Sequence, residues 1–342
     1  MYYPKWRNIP HASFPLPTDR LMTMNALPAD SEQFDPALLF PRLRVGAYRL
    51  AFEPRSTINL PPYTGSAWRG LLGTALKHLF CPWEKKACRQ CLVQHSCPYY
   101  ILYEETSHES GFADVPRPYI LCPLPEEKGL IGLELTVAGK ACEFVPGILA
   151  ACESAGQIGL GRGRLKFGLK FILQKLPDGS WKEIYGQGES ISIEQASWLL
   201  ADLLDDSQPP PPWKIELATP MRLRKNGRNL DTPDWSWAFI TLGMRLSMLA
   251  YLAGGERFLP EQWSNIKFFL SSPGESNDYV SWYDWKRYSS RQKRHVPMGG
   301  LVGSSIVRPS EGTEAVWWRW WQTAHLFHMG KGVTMGLGKI DI

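Results

Sequence analysis

The chain of 342 residues has no apolar run that approaches the roughly 18 residues a membrane-spanning helix needs. Its first residues, Met1-Tyr2-Tyr3-Pro4-Lys5-Trp6-Arg7, lack the apolar core of a secretory signal. A cytoplasmic protein with no membrane partner is the expectation. Cysteine is scarce, 7 in the whole chain, and disulfides are not expected in a reducing compartment. Carboxylates do not cluster near the glycine-rich stretches described below, which argues against a nuclease built on two metal ions. Positive charge is missing from most of the chain. Residues 1–208 hold 21 Lys and Arg against 22 Asp and Glu, a net −1, whereas residues 209–342 hold 17 against 11, a net +6.

What is present begins with length. At 342 residues and 44% hydrophobic content, two domains with ordinary cores are expected. The last sixteen residues, Phe327 to Ile342, contain Gly330, Gly332, Gly336 and Gly338 with Lys331 and Lys339. Glycine admits close backbone approach, and consecutive free N–H groups form a concavity suited to phosphate oxygens. Gly156 to Arg164, with Gly159, Gly161 and Gly163 beside Arg162 and Arg164, has the same character and is followed by Lys166. Two such loops suggest a duplicated unit. The basic excess peaks at Lys286 to His295, where Lys286, Arg287, Arg291, Lys293 and Arg294 occur without an acid. Such a run is commonly a solvated surface. Its Tyr and Ser content, and Trp282, Tyr283 and Trp285 just before it, favour nucleic acid.

Residues 1–42 are proline-rich and aperiodic, and read as an irregular extension. A strand is predicted from Leu43 to Phe52, with a change of phase near Gly46. A helix follows, capped by Ser66, with Trp68, Leu71, Leu72, Ala75, Leu76, Leu79 and Phe80 on its apolar face. Leu130–Ala138 reads as a strand, Glu143–Ser154 as a helix with Pro146 in its first turn, and Leu165–Leu173 as a strand. An extra strand near Lys182–Tyr185 and a helix over Ile193–Leu204 lead to a Pro209–Pro212 linker. The second half repeats the plan: a strand over Trp213–Arg222, a helix over Trp235–Ala253 capped by Asp234, strands at Tyr279–Tyr288 and Leu301–Arg308, a helix over Glu314–Phe327, and a final strand. The predicted fold is therefore α+β, with two tandem ferredoxin-like (βαββαβ, RRM-like) domains. The boundaries are 1–42, 43–208 and 209–342.

Cys81, Cys88, Cys91 and Cys97 are spaced C-x6-C-x2-C-x5-C. Four thiolates at that spacing suit a tetrahedral structural zinc in an inserted knuckle over residues 81–97. An iron–sulfur cluster and a metal-free loop are the alternatives, and His95 can replace one thiolate. Four protein thiolates leave no open position for water, so no catalytic metal is expected. Cys122, Cys142 and Cys152 lie in apolar contexts and read as buried.

The second half resembles the CRISPR-associated precursor-crRNA-processing endoribonucleases of the RAMP superfamily, the sixth Cas family. The resemblance lies in Ala218–Arg224, in Asp284–Gln292, in Gly299–Gly303, and in Met329–Gly332 through Gly336–Gly338. The first half is similar to it in Trp68-Arg69-Gly70-Leu71-Leu72-Gly73, in the four cysteines, and in Ile158–Gly163. Residues 1–42 and about 177–208 fall outside it.

The resemblance implies single, metal-independent cleavage of a repeat RNA. The 2′-OH attacks the adjacent phosphate, a general base takes its proton, and a general acid protonates the leaving 5′ oxygen. It also implies a histidine near the first helix: here His78, with Tyr63 on the preceding turn. His295, His325 and His328 are further candidates, and Arg287, Ser289 or Arg291 can replace a histidine or hold the phosphate. Arg69, Arg162, Arg164, Lys166, Arg222, Arg287, Arg291, Lys293, Arg294, Lys331, Lys339 and the four C-terminal glycines are the expected RNA contacts. CRISPR repeat RNA, and other Cas proteins of an effector complex, are the implied partners. The same motifs would serve a non-catalytic RAMP subunit that binds crRNA. A zinc-containing nucleic-acid-binding protein unrelated to CRISPR would explain the knuckle but not two equivalent glycine loops.

Overall fold

The structure, a computed structural model, describes residues 31–81, 83, 88–105, 115–186, 190–289 and 294–342. A one-turn helix α1 (Pro36–Leu39) precedes strand β1 (Arg44–Pro54), helix α2 (Gly65–Phe80) and the hairpin β2 (Tyr119–Glu127) and β3 (Leu130–Ala138). Helix α3 (Val145–Ile158), strand β4 (Phe167–Lys175), strand β5 (Trp181–Gly186) and the two-residue β6 (Trp198–Leu199) complete the first unit. The second unit has β7 (Trp213–Met221), the small hairpin β8 (Arg224–Lys225) and β9 (Arg228–Asn229), α4 (Trp235–Leu252) and α5 (Pro260–Leu270). It continues with β10 (Glu275–Tyr283), the hairpin β11 (Lys286–Ser289) and β12 (Arg294–Pro297), β13 (Gly300–Arg308), α6 (Glu314–Phe327) and β14 (Ile340–Asp341).

The first sheet runs β2-β3-β1-β4-β5 and the second β10-β13-β7-β14, with all these neighbours antiparallel. In each, the first strand of the βαββαβ core lies between the third and fourth strands of that core (β1 between β3 and β4, β7 between β13 and β14), which is the ferredoxin-like order. The periodicity explains the helices. Trp68, Leu71, Leu72, Ala75 and Leu76 of α2 are buried, as are Trp317, Trp320 and Trp321 of α6.

Several expectations are corrected. Thr64, not Ser66, occupies the position before α2, and Leu79 and Phe80 at its end are exposed rather than part of the core face. Ile193–Leu204 is not a helix: Trp198–Leu199 pairs with Arg44–Val45 and a 3-10 turn follows at Ala201–Leu203. The irregularity in β1 lies at Ala51/Phe52 against β4, not near Gly46. The strand expected at Tyr279–Tyr288 breaks at Asp284, after which the chain turns back as a separate hairpin. Strand β2 and helix α5 have no counterpart in the sequence reading. β2 carries Pro123 and Pro125 and is an edge strand bonded to β3 alone, a place where a missing N–H costs little.

Residues 32–42 are not an irregular extension. Phe34 and Phe40 are buried in the aromatic core of the second unit. Phe34 stacks on Phe269 at 4.8 Å, Phe269 stacks on Trp317 at 4.9 Å, and Trp320 Nε1 donates to Phe34 O at 2.9 Å. Among the described residues no helix is long and apolar enough to cross a membrane.

Candidate nucleic-acid interface

Helix α2 presents two i, i+4 rows to one shallow trough: Arg69, Gly73, Lys77 and Cys81, and beside them Gly70, Thr74 and His78. Lys77, His78, Thr74 and Gly70 are exposed, and Arg69 is half-buried. The floor is aromatic. Tyr103 lies under Gly73, where a Cβ would meet its ring at 3.1 Å, so glycine lets the ring approach. Tyr99 stacks on Tyr103 with centroids 5.3 Å apart, and the Lys77 ammonium sits 4.5 Å above the Tyr99 ring. Arg69 Nε donates to Tyr119 Oη at 3.1 Å, and Tyr103 Oη donates to Arg69 O at 2.7 Å. The trough thus holds one imidazole and two cations, and none of the described residues that line it is a carboxylate.

The C-terminal glycine loop docks on the first unit rather than standing open. Tyr63 Oη donates to Met335 O, and its ring meets Trp285 edge-on at 5.4 Å. Gly336 has φ 83°, and a Cβ there would lie 2.6 Å from Cys122 Cα and 2.7 Å from Leu121 O. Any side chain would drive the loop off β2. Thr219, fully buried, donates through Oγ1 to Gly336 O at 2.8 Å and accepts from Lys339 N at 2.9 Å. Most loop N–H groups are bonded inside the protein: Met329 to Gly338 O, Lys331 to Arg222 O, Gly338 to Pro220 O. For the N–H groups of Gly332, Val333 and Thr334 no protein acceptor is found among the described residues, and Lys331 is exposed beside them.

Two expected site residues are thereby displaced. Lys339 is 3% exposed, and its Nζ meets Glu134 Oε1 of the first unit at 2.6 Å, so it joins the two sheets instead of reaching RNA. Burial alone would raise the Glu134 carboxyl. Lys339, its hydrogen bond and Arg49, whose Nε lies 3.1 Å from Glu134 Oε2, outweigh burial and hold it at about 2. His328 is 1% exposed, with Nδ1 3.3 Å from Leu337 O. Burial first, and then Lys339, push its pKa down to about 3, so it is neutral and cannot approach a scissile phosphate. Tyr63 gives its hydroxyl proton to a backbone carbonyl, which does not leave it placed as a base.

Gly65, at the loop end of α2, and His78 are separated by about 20 Å of helix. The loop and the histidine trough are therefore neighbouring stations, not one pocket. Arg162 and Arg164 are exposed in the turn closed by Leu160 and Leu165, and Lys166 Nζ donates to Gln157 O and Ile158 O at the end of α3. Arg222 is half-buried and donates to Pro297 O at 3.1 Å, which ties β7 to the β11–β12 hairpin. The backbone of Arg287, Ser289, Arg294 and His295 lies in that hairpin, paired Arg287↔Val296 and Ser289↔Arg294. Arg291 and Lys293 lie outside the described residues.

Sequence reasoning missed Arg245. It donates to Phe327 O and His328 O at the end of α6, and burial lowers its pKa to about 10. It therefore stays charged and caps that helix. The i+4 spacing of Arg69, Gly73 and Lys77 was a readable signal for the trough.

Comparison with known proteins places these features. Residues 43–197 match the family model AF_1859_N, an N-terminal domain, and residues 215–340 match that of the CRISPR-associated endoribonuclease Cas6. An uncharacterized protein of Archaeoglobus fulgidus is 24% identical over 172 residues, 48% of this chain and 57% of that one. The chain thus spans little more than half of this curated relative. Thermus thermophilus Cas6 is similar in structure, with TM-score 0.51 at 14% identity over 87% of this chain and 98% of that one, and a Cas6 product complex matches with the same values. The likeness extends across both ferredoxin-like units. The C-terminal domain, residues 215–340, is thus similar to the CRISPR-associated endoribonuclease Cas6 family, and the fold of both units is similar to that of solved Cas6 structures.

Proposed function

We propose that the protein binds CRISPR repeat RNA and cleaves precursor crRNA once, without a catalytic metal. The observation that carries this reading is the α2 trough, lined by His78, Arg69 and Lys77 and, among the described residues, by no carboxylate. Histidine titrates near neutrality and can take or give a proton there. In the proposed step the 2′ oxygen attacks the adjacent phosphorus and the bond from phosphorus to the 5′ oxygen breaks. The 2′ proton passes to a base, and an acid protonates the departing 5′ oxygen, leaving a cyclic phosphate and a 5′-OH. Arg69 and Lys77 would offset the charge that gathers on the phosphorane oxygens. Lys331, the basic hairpin, and Arg162 with Arg164 would hold flanking phosphates.

The test is incubation with repeat RNA in EDTA. A single cut is expected, because a two-metal mechanism needs carboxylate ligands that the trough does not offer. Activity that disappears in EDTA and returns with Mg²⁺ would overturn the proposal. Binding without any cut would instead identify a non-catalytic crRNA-binding subunit.

The path of the RNA is tested by salt titration. Lys331→Ala should weaken binding and reduce the slope of log affinity against log salt by roughly one. The variant Arg291→Ala/Lys293→Ala, in the basic run 286–295, should reduce that slope by roughly two, since each side chain would neutralise one phosphate. Unchanged slopes for both would move the RNA path to Arg162, Arg164 and Lys166.

A further inference from the structure

Four of the seven cysteines gather at one place outside the trough. Cys81 ends α2, Cys88 and Cys91 bracket a 3-10 turn (Cys88–Gln90), and Cys97 precedes the turn Tyr100–Glu104. All four line one small cavity, closed by Phe80, Trp83, Val93, Tyr99 and Tyr100. Cys88 and Cys97 also pack against the core of the first unit. The remaining cysteines are spread singly: Cys122 lies in β2, Cys142 points its thiol to Arg44 O and Val137 O, and Cys152 is buried in α3. Among the described residues no three metal-binding side chains already meet at ligating distance. The thiols ring the cavity without converging on a point.

We propose that Cys81, Cys88, Cys91 and Cys97 bind one zinc ion, which draws the ring closed and fixes the wall of the α2 trough. Donor chemistry selects the ion: four sulfurs in a cavity lined otherwise by Gln94 and mainly apolar and aromatic side chains suit a tetrahedral Zn²⁺ with no open position. Four Zn–S bonds form as four thiol protons leave to solvent, so the site closes only as the metal enters. The coupling to the trough is geometric. Cys81 and Tyr99 line both spaces. Tyr99 also carries the Lys77 ammonium on its ring and stacks on Tyr103, whose hydroxyl holds Arg69 O. This coupling rests on the proposed use of the trough; the metal site does not.

The experiment uses full-length protein purified without chelator. Elemental analysis should find one zinc per chain, and X-ray absorption should find four sulfurs at about 2.3 Å. Cys88→Ser/Cys91→Ser should lose the zinc and open residues 81–105 to limited proteolysis, while Cys142→Ser retains it. If the double variant does not fold, wild-type protein stripped of metal and refolded serves instead, and protection should return only when zinc is added. No metal in the wild type, iron with inorganic sulfide, full zinc in the double variant, or protection regained without zinc would each overturn the site. In the zinc-free protein, repeat-RNA cleavage should slow by about tenfold or more, as expected for a displaced site wall. An unchanged rate with zinc present in the wild type would leave the metal site standing and remove its link to the trough.

Discussion

Replacing His78 by alanine should leave repeat-RNA affinity nearly unchanged and lower the single-turnover cleavage rate by about 10²-fold or more. The imidazole is exposed on α2, next to Lys77 at the end of the trough away from Arg69, and is not part of the core. Its loss therefore removes a proton carrier without removing packing. Arg69→Ala should behave differently, because the guanidinium also holds Tyr119 Oη and lies over Tyr103 with 5.5 Å to the ring centroid. That variant should lose both rate and some stability. Rates are read with enzyme in saturating excess over RNA, so that binding defects do not enter. Wild-type cleavage by His78→Ala would make this histidine a surface residue and leave the β11–β12 hairpin, with Ser289 and His295, as the place to search.

Lys339→Met should destabilise the protein by about 3 kcal/mol at neutral pH and leave the salt slope of RNA binding unchanged. Removing the lysine leaves Glu134 buried, with Arg49 at 3.1 Å and Lys175 nearby as cationic neighbours. The sign of the pH dependence follows from the lowered Glu134 carboxyl. A carboxylate whose folded pKa is depressed stabilises fully above its unfolded value, here 4.5, and that contribution fades as pH falls toward about 2. The stability gap between wild type and Lys339→Met should therefore narrow across that window, and urea unfolding at neutral and acid pH measures it. A variant that is as stable as wild type but loses about one unit of salt slope would show that Lys339 binds phosphate after all.

Much of the fold was legible because it rests on periodicity. The tryptophan face of α6 and the stripe from Trp68 to Leu76 in α2 are local signals that the structure realises, whereas the alternation in β4 holds only to Leu169, after which the buried face passes to Ile172 and Gln174. What escaped depended on partners distant in sequence. β2 looks unlike a strand because of its two prolines, and being an edge strand is a property of the sheet, not of the segment. Ile193–Leu204 has helical spacing, yet Leu200, Leu203 and Leu204 are drawn into a core with Trp213 and Phe327. The same holds at the candidate site. Lys339 and His328 stand beside glycines as phosphate ligands would, and only the docking of the second unit on β2 and β3 shows that they are sealed inside. Arg69 and His78, nine residues apart, read from the sequence as lying on opposite flanks of the apolar face of α2, and the structure shows both lining one trough with Tyr99 and Tyr103.

The seating of Phe34 and Phe40 has a consequence for the order of events at the ribosome. Trp320, whose indole closes on Phe34 O, is synthesised 286 residues later than its partner. Between the two, the entire first unit emerges and can fold. The leading segment must wait, solvated or loosely held, until the last helix arrives to complete the pocket. Vectorial synthesis thus completes the seat of residues 32–42 only when α6 arrives, and until then the nascent chain carries two unsheltered phenylalanines.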